Sequence, residues 1–304
     1  MDLKILTWNI NFVNNSWTKR IKCINTLLDK RENYDVIALQ EVTIPFDENI
    51  PKIYGFINNM KYKTDAFVER NVIYKNLAKY FPQNKINMIT AFKYLMDTLF
   101  IFLSYIMSNF GNTLIDIYTN YGTFGKIFGC TLVFVFPLVF ISMWLFIGMM
   151  TLINKSLKPT INNQTIGDGR IIQYSEFKFN TRDVLFINVH LSYKNNDEKV
   201  KENEIRELME FVKKKEKDIV ILAGDFNSNQ DSIVYKTLNE NNYKSVMLEK
   251  HGEEKNTFPS KNPKKCLDYI WIKGKNITIK EAGLIGDEKH TDHLGIETTL
   301  TINK

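Results

Sequence analysis

Short apolar runs alternate with stretches of roughly helical length along the first 80 residues. "LKILTW" (3–8) reads as a buried strand. Ser16 is placed to cap a helix from Trp17 to about Glu32 that carries Ile21, Ile24, Leu27 and Leu28 on one face. "DVIALQE" (35–41) predicts the next strand and "NVIYK" (71–75) a third. The rhythm returns after Lys155, where "RIIQYSEFKF" (170–179) and "DVLFINVH" (183–190) predict successive antiparallel strands. A polar helix is expected from Asp197 to Glu216, with Ile205, Leu208, Met209 and Val212 facing inward. "DIVILAGDFN" (218–227) is a strand running into a loop; "LDYIWIK" (267–273) and "GIETTL" (295–300) complete the set.

Between these halves the pattern breaks. From Ile127 to Ile153 no charge occurs over 27 residues, more than the roughly 20 needed to cross a bilayer. A weaker apolar stretch, Ile89 to Phe110, is interrupted by Lys93 and Asp97 and would either span or lie at the interface. Removing 86–160 leaves 229 residues, a comfortable single domain. The expected organisation is one α/β catalytic domain made of 1–85 and 161–304, with 86–160 inserted as a membrane-active segment.

The bulk composition agrees with a folded chain: of 304 residues, 44% are hydrophobic and 24% charged, which excludes a disordered class. The net charge of +6 favours phosphate-bearing partners or an anionic surface, although no dense basic block concentrates it. Cys23, Cys130 and Cys266 lack metal-type spacing and point to a reducing compartment rather than a disulfide framework. "MDLKILTWNINF" has a strand's pattern and no signal-peptide core.

The candidate chemistry sits where the strands end. The first stops at Trp8-Asn9, the second at Gln40-Glu41, "NVHL" offers His190, and "GDFN" offers Asp225 and Asn227. Asp268 opens "DYIWI", and "TDHLG" supplies Asp292 and His293. A single Asp after a strand is usually a turn former. Acids, amides and imidazoles at successive strand ends make a coherent phosphoester site instead. Glu41 would hold a hard cation such as Mg²⁺, with Mn²⁺ able to substitute, and Asn9 and Asp292 would complete or orient its shell. Asp225 would take a proton from the attacking water, while Asn227 contacts the phosphate or the nucleophile. His190 and His293 would donate to the phosphoryl oxygens, with Asp268 fixing the His293 tautomer.

"TWNIN", "LQEV", "NVHL", "GDFN", "LDYI" and "TDH", in this order, resemble the endonuclease/exonuclease/phosphatase superfamily, which includes DNase I-like nucleases, abasic-site endonucleases, neutral sphingomyelinases and inositol polyphosphate 5-phosphatases. The resemblance covers both flanks of the insertion. It implies a DNase I-like fold, a sandwich of two β-sheets flanked by helices, with the site at one rim. It also implies a metal at Glu41, and roles for Asn9, Asp225, Asn227, Asp292 and His293 at the phosphate, water or metal. His190 matches a phosphate-contacting histidine, and Asp268 the acid paired with the last histidine. Thr291 stands where Ser is usual, keeping the hydroxyl; no equivalent is identified for the further acid, Tyr or Arg that many members carry after "LQEV".

Asn9 and Glu41 precede the apolar block and the other site residues follow it, so a single crossing would separate the two halves. A helical hairpin through 89–153, transmembrane or membrane-dipping, is the economical answer. Arg70, Lys75, Lys79 and Lys85 before it, and Lys155, Lys158 and Arg170 after it, outweigh Lys126 in the connecting loop. That bias predicts an integral membrane protein with its catalytic domain facing the cytoplasm. Two substrates then compete: a phospholipid head group, which the hairpin would bring near, and nucleic acid cleaved by an anchored nuclease. A phosphomonoesterase ranks third. A dead binding module ranks last, because every nameable metal and phosphate position holds a competent residue.

Overall fold

The computed structural model describes residues 1–11, 20, 23–24, 26–28, 34–43, 62–68, 147–167, 169–193 and 198–304. The chain divides into two compact units: Met1–Ile44 with Glu48–Glu69 and Ile147–Lys304, and Pro45–Asp47 with Arg70–Phe146. Every described residue belongs to the first.

Two six-stranded mixed sheets face each other. The first runs edge to edge through β11 (Ile277–Ile285), β12 (Gly295–Ile302), β1 (Asp2–Asn9), β2 (Val36–Thr43), β4 (Ile147–Asn154) and β3 (Tyr62–Val68). The second runs through β5 (Thr160–Ile166), β6 (Arg170–Phe179), β7 (Arg182–His190), β8 (Ile219–Asp225), β10 (Asp268–Gly274) and β9 (Lys244–Ser245). Helices α1 (Glu198–Lys215), α2 (Ile233–Glu240) and α3 (Val246–His251) belong to the second half of the chain. Near the start, residues 20, 23–24 and 26–28 are helical.

Period-two alternation sorts the central strands between two cores. Leu3, Ile5, Val36, Ala38 and Ile153 of the first sheet meet Val184, Phe186, Ile219, Ile221, Ile270 and Ile272 of the second in the space between them. Leu6, Trp8, Ile37, Leu39, Met150 and Leu152 turn outward and pack with Ile24 and Leu28. On the far side, Leu185, Ile187, Val220 and Leu222 pack with Ile205, Leu208 and Val212 of α1. The i, i+3, i+7 spacing of those three residues is the stripe expected there, with Met209 at its margin. Strands buried on both faces read as continuous apolar runs, as β8 does with all seven residues buried. β6 and β7 are the expected hairpin; Asn180 and Thr181, both with positive φ (49° and 73°), form the two-residue turn that matches strand twist.

One expectation is corrected. Ile147–Asn154, the end of the supposed membrane-active run 127–153, is strand β4, antiparallel to both β2 and β3. Its Met150, Leu152 and Ile153 are apolar because two protein cores enclose them, not because lipid does, and Met149 is buried beside them. The boundary at 160 moves accordingly: β4, a 3-10 turn at Lys155–Leu157 and the start of β5 all belong to the sandwich. The rest of the hairpin region, 86–146, and the expected strand at 71–75 lie outside the described residues. No helix among the described residues is long and apolar enough to cross a membrane.

Candidate active site

Parallel pairing of β1 with β2 and of β7 with β8 puts four strand C-termini at one rim. Asn9, Glu41, His190 and Asp225 therefore leave the sandwich on the same side. β10 runs antiparallel to β8 and begins there, with Asp268 directly opposite Asp225; His190 is the register partner of Asp225 on the other side. Thr291, Asp292 and His293 arrive in the loop before β12. Gly224 is required by close approach, since a Cβ there would lie 1.8 Å from the Val189 carbonyl oxygen. The tight β7–β8 contact, more than any turn at residue 224, is what the glycine serves.

Asp225, only 1% exposed, is the hub. Its Oδ2 accepts from Asn9 Nδ2 at 3.0 Å and lies 3.8 Å from His190 Nε2 and 4.0 Å from His293 Nε2. Its Oδ1 accepts from the Asn227 backbone N–H at 2.8 Å. His293 Nδ1 lies 2.9 Å from Asp268 Oδ2, so the far carboxylate sets the imidazole's orientation. Phe258 tilts over the same ring at 4.9 Å.

Glu41 sits on a distorted stretch of β2. The ladder to β4 slips between Leu39 and Val42, and Glu41 takes φ +52°. Such a bulge re-aims a side chain at a sheet rim. Glu41 Oε1 is 3.4 Å from Asn9 Nδ2 and 3.8 Å from His190 Nε2, and at 23% its side chain is far more open than those of Asp225 and His190. Asp292 accepts from Asn11 Nδ2 (2.7 Å) and from Thr291 Oγ1 (3.2 Å), while the Thr291 hydroxyl also reaches the Asn9 carbonyl at 3.1 Å. The Thr in place of Ser thus makes the bonds a serine hydroxyl would.

Two contributors escaped sequence reading. Arg20, 6% exposed, donates to the carbonyls of Ile10, Asn11 and His290 and so clamps the loop after β1 to the loop carrying Asp292. Burial lowers its pKa, and Asp292 and Glu41 oppose that shift. The sequence marks only its burial, since Arg20 falls in register with Ile24 and Leu27 on the apolar face of the first helix. Lys201 of α1 donates to the carbonyl of Asn227, which holds φ +49°. Asn227 itself spends one amide proton on the Leu191 carbonyl, 3.0 Å away.

The profile of the Endonuclease/Exonuclease/phosphatase family matches residues 6–293, spanning all of this rim. The chain belongs to that family. Its members hydrolyse phosphoesters and generally depend on a divalent metal, and this chain is a phosphoric ester hydrolase. No curated protein matches it in sequence. Among solved structures it resembles an endonuclease/exonuclease/phosphatase from Bacteroides vulgatus (12% identity, all of both chains, TM-score 0.63). D. rerio TDP2 complexed with a single strand DNA product aligns at 14% identity over 99% of both chains, TM-score 0.60. The human Nocturnin catalytic domain with bound sulfate anion aligns at 15% identity over 99% of this chain and 94% of its own, TM-score 0.59. At these identities the likeness is one of fold.

In this family member the charges are set by burial and pairing. Burial pushes the Asp225 carboxyl above its ordinary range and Asp268 adds to the shift, while His293, His190 and the bond from Asn9 pull it back. Burial alone would lower the His293 pKa, but the Asp268 carboxylate and its hydrogen bond outweigh it, with help from Asp225 and Asp292, and raise it to about 10. At neutral pH His293 is therefore an imidazolium, with Nδ1–H on Asp268 and Nε2–H toward Asp225. Asp225, Asp268 and His293 bring one potential ligand atom each within 4.8 Å of one another, but Asp268 is fully buried and already bonded to the imidazole. Of the Glu41 and Asp225 carboxylates Glu41 is the more open, and a carboxylate oxygen suits a hard divalent cation that keeps its waters.

Proposed function

We propose that the protein is a phosphodiesterase of nucleic acid, hydrolysing the ester by attack of water with a divalent metal held on the Glu41 side. The surround of Asp225 carries this reading: a buried carboxylate fixed by two donors, with two imidazole nitrogens about it at 3.8 and 4.0 Å. Asp225 takes the proton of the attacking water, and its raised pKa brings it nearer the operating pH of a general base. His293, charged and braced by Asp268, donates with His190 to the oxygens where negative charge develops. Asn9 links Asp225 to Glu41, and the second amide proton of Asn227 serves the phosphate. Glu41 would bind Mg²⁺, or Mn²⁺ in its place, with Asp292 and Asn9 completing or orienting the shell. That ion would neutralise phosphate charge and make the nucleophilic water more acidic.

Nucleic acid is supported as substrate by the shared fold with TDP2, a structure of which holds a single strand DNA product, while the net charge of +6 suits phosphate-bearing partners in general. A second reading keeps the membrane proposal. After β4 is subtracted, Ile127–Phe146 still gives 20 residues without a charge, enough for one arm of a hairpin whose other arm is the weaker apolar stretch Ile89 to Phe110. A chain anchored there on the cytoplasmic face would meet phospholipid head groups.

The deciding assay offers plasmid DNA, RNA and a phospholipid panel including sphingomyelin, in detergent and in liposomes, with Mg²⁺ or EDTA. The expected result is metal-dependent cleavage of nucleic acid, abolished in Glu41→Ala and weakened steeply by salt. Head-group release that requires bilayers would overturn the nucleic-acid reading in favour of the second. Turnover of phosphomonoesters alone would overturn both.

A further inference from the structure

Between the aliphatic interior and the reactive rim lies a layer of buried polar side chains, Thr7, Gln40, Thr151, Gln173 and Asn188, drawn from five strands of both sheets. Polar groups in the middle of a sandwich are costly unless bonded. Here the bonds run across the gap and converge on Asn188 of β7. Its Oδ1 accepts from Gln40 Nε2 at 2.8 Å. Its two amide protons are shared among three acceptors of the opposite sheet at 3.2 Å: the carbonyls of Leu39 and Met150 and the Thr151 hydroxyl.

The position of those acceptors gives the arrangement its meaning. Leu39 and Met150 are the last regular ladder pair of β2 and β4 before the slip that turns Glu41 outward. Gln40, the residue between, is held by Asn188 and by Thr7 Oγ1 at 3.1 Å. Asn188 thus grips the bulge from the facing sheet, two residues before His190 on its own strand. A bulge is a local irregularity with few ladder bonds of its own, so its geometry depends on what holds it.

We propose that Asn188 is a positioning residue for the metal side of the site: it fixes the Glu41 bulge relative to His190 and Asp225 across the two sheets. The inference rests on the reading of Glu41 as metal ligand. Outer partners of a metal ligand commonly contribute about 10–100-fold to metal affinity. A residue that merely fills the core would contribute stability without that selectivity.

Mn²⁺ binding to the purified, otherwise intact protein, read by electron paramagnetic resonance together with thermal melts, provides the test. Asn188→Ala is expected to weaken Mn²⁺ binding by about tenfold or more. Phe186→Leu, on the same face of β7 in the aliphatic interior, should lower the melting temperature and leave Mn²⁺ affinity unchanged. Gln40→Met, which removes the partner of Asn188 Oδ1, supplies a second variant should Asn188→Ala fail to fold, and should weaken binding in the same direction. Equal Mn²⁺ affinity in wild type, Asn188→Ala and Gln40→Met would overturn the proposal, as would equal weakening by Phe186→Leu. If Glu41→Ala binds Mn²⁺ as well as wild type, the metal reading of Glu41 fails instead, and that outcome is separable from the others.

Discussion

Phe186 and His190 lie four residues apart on one strand, face the same interior and are both buried. Phe186 sits among aliphatic side chains, whereas His190 sits 3.8 Å from two carboxylates. The closed end of the sandwich is specified by volume and tolerates any well-shaped apolar filling. The rim is specified by hydrogen bonds and charge, where one missing donor leaves a buried acceptor stranded. The difference teaches that burial by itself says little about role in this molecule. What matters is the layer along the strand at which a residue is buried.

The sharpest way to break that contrast is Asp225→Asn. Turnover should fall by about 10²–10⁴-fold, the range for loss of a general base. The melting temperature should hold or rise, because a carboxylate with a raised pKa costs stability when it is ionised. A variant that lost stability along with activity would make Asp225 a packing residue like those of the closed end. Gly224→Ala tests the seam between the two regimes: the clash with the Val189 carbonyl should cost about 3 kcal/mol or more in urea denaturation.

The pH dependence sharpens the contrast further. His293 in the folded protein keeps its proton up to about 10, whereas a free histidine releases it near 6.5. The folded state binds the extra proton between those values. Its stabilisation is complete below pH 6.5 and is lost as pH rises through about 10, at up to about 1.4 kcal/mol per pH unit. Melts of wild type and His293→Gln from pH 6 to 10 should show this slope in the former only. The smallest effect belongs to the closed end. Ile221→Val should cost about 1 kcal/mol and leave kcat unchanged; a large drop in kcat would mean that the two ends are not independent.

Much of the sandwich was legible in sequence because its strands are short, apolar and bounded. β6 runs over 170–179 as its pattern predicts, and α1 departs from the predicted helix by one residue at each end. β4 was misread for a physical reason. A strand buried on both faces loses its alternation and, joined to another apolar segment, has no feature separating it from a lipid-facing helix. β3, with Lys63 and Asp65 in its middle, went unnoticed, as did β5, β9, β11, α2 and α3. β5 is mostly exposed and polar, β9 has two residues, and the other three are short or mixed in pattern. At the site, strand-end polar residues stood out, whereas Arg20, Lys201 and Asn188 did not. Each acts on a backbone carbonyl far away in sequence, and no spacing rule encodes such a contact.

By itself the sequence determined which residue types could carry the chemistry, the order in which they come and the strands that end in them. Those are local properties, written in side-chain polarity and period. Tertiary structure decided the rest: that His190 and Asp268 flank Asp225, that Glu41 turns outward on a bulge, that His293 is charged, and that 147–154 belongs to a sheet. Each of these depends on which strands become neighbours and in what register. Register is set by the packing of two whole sheets, so no single stretch of the chain contains it.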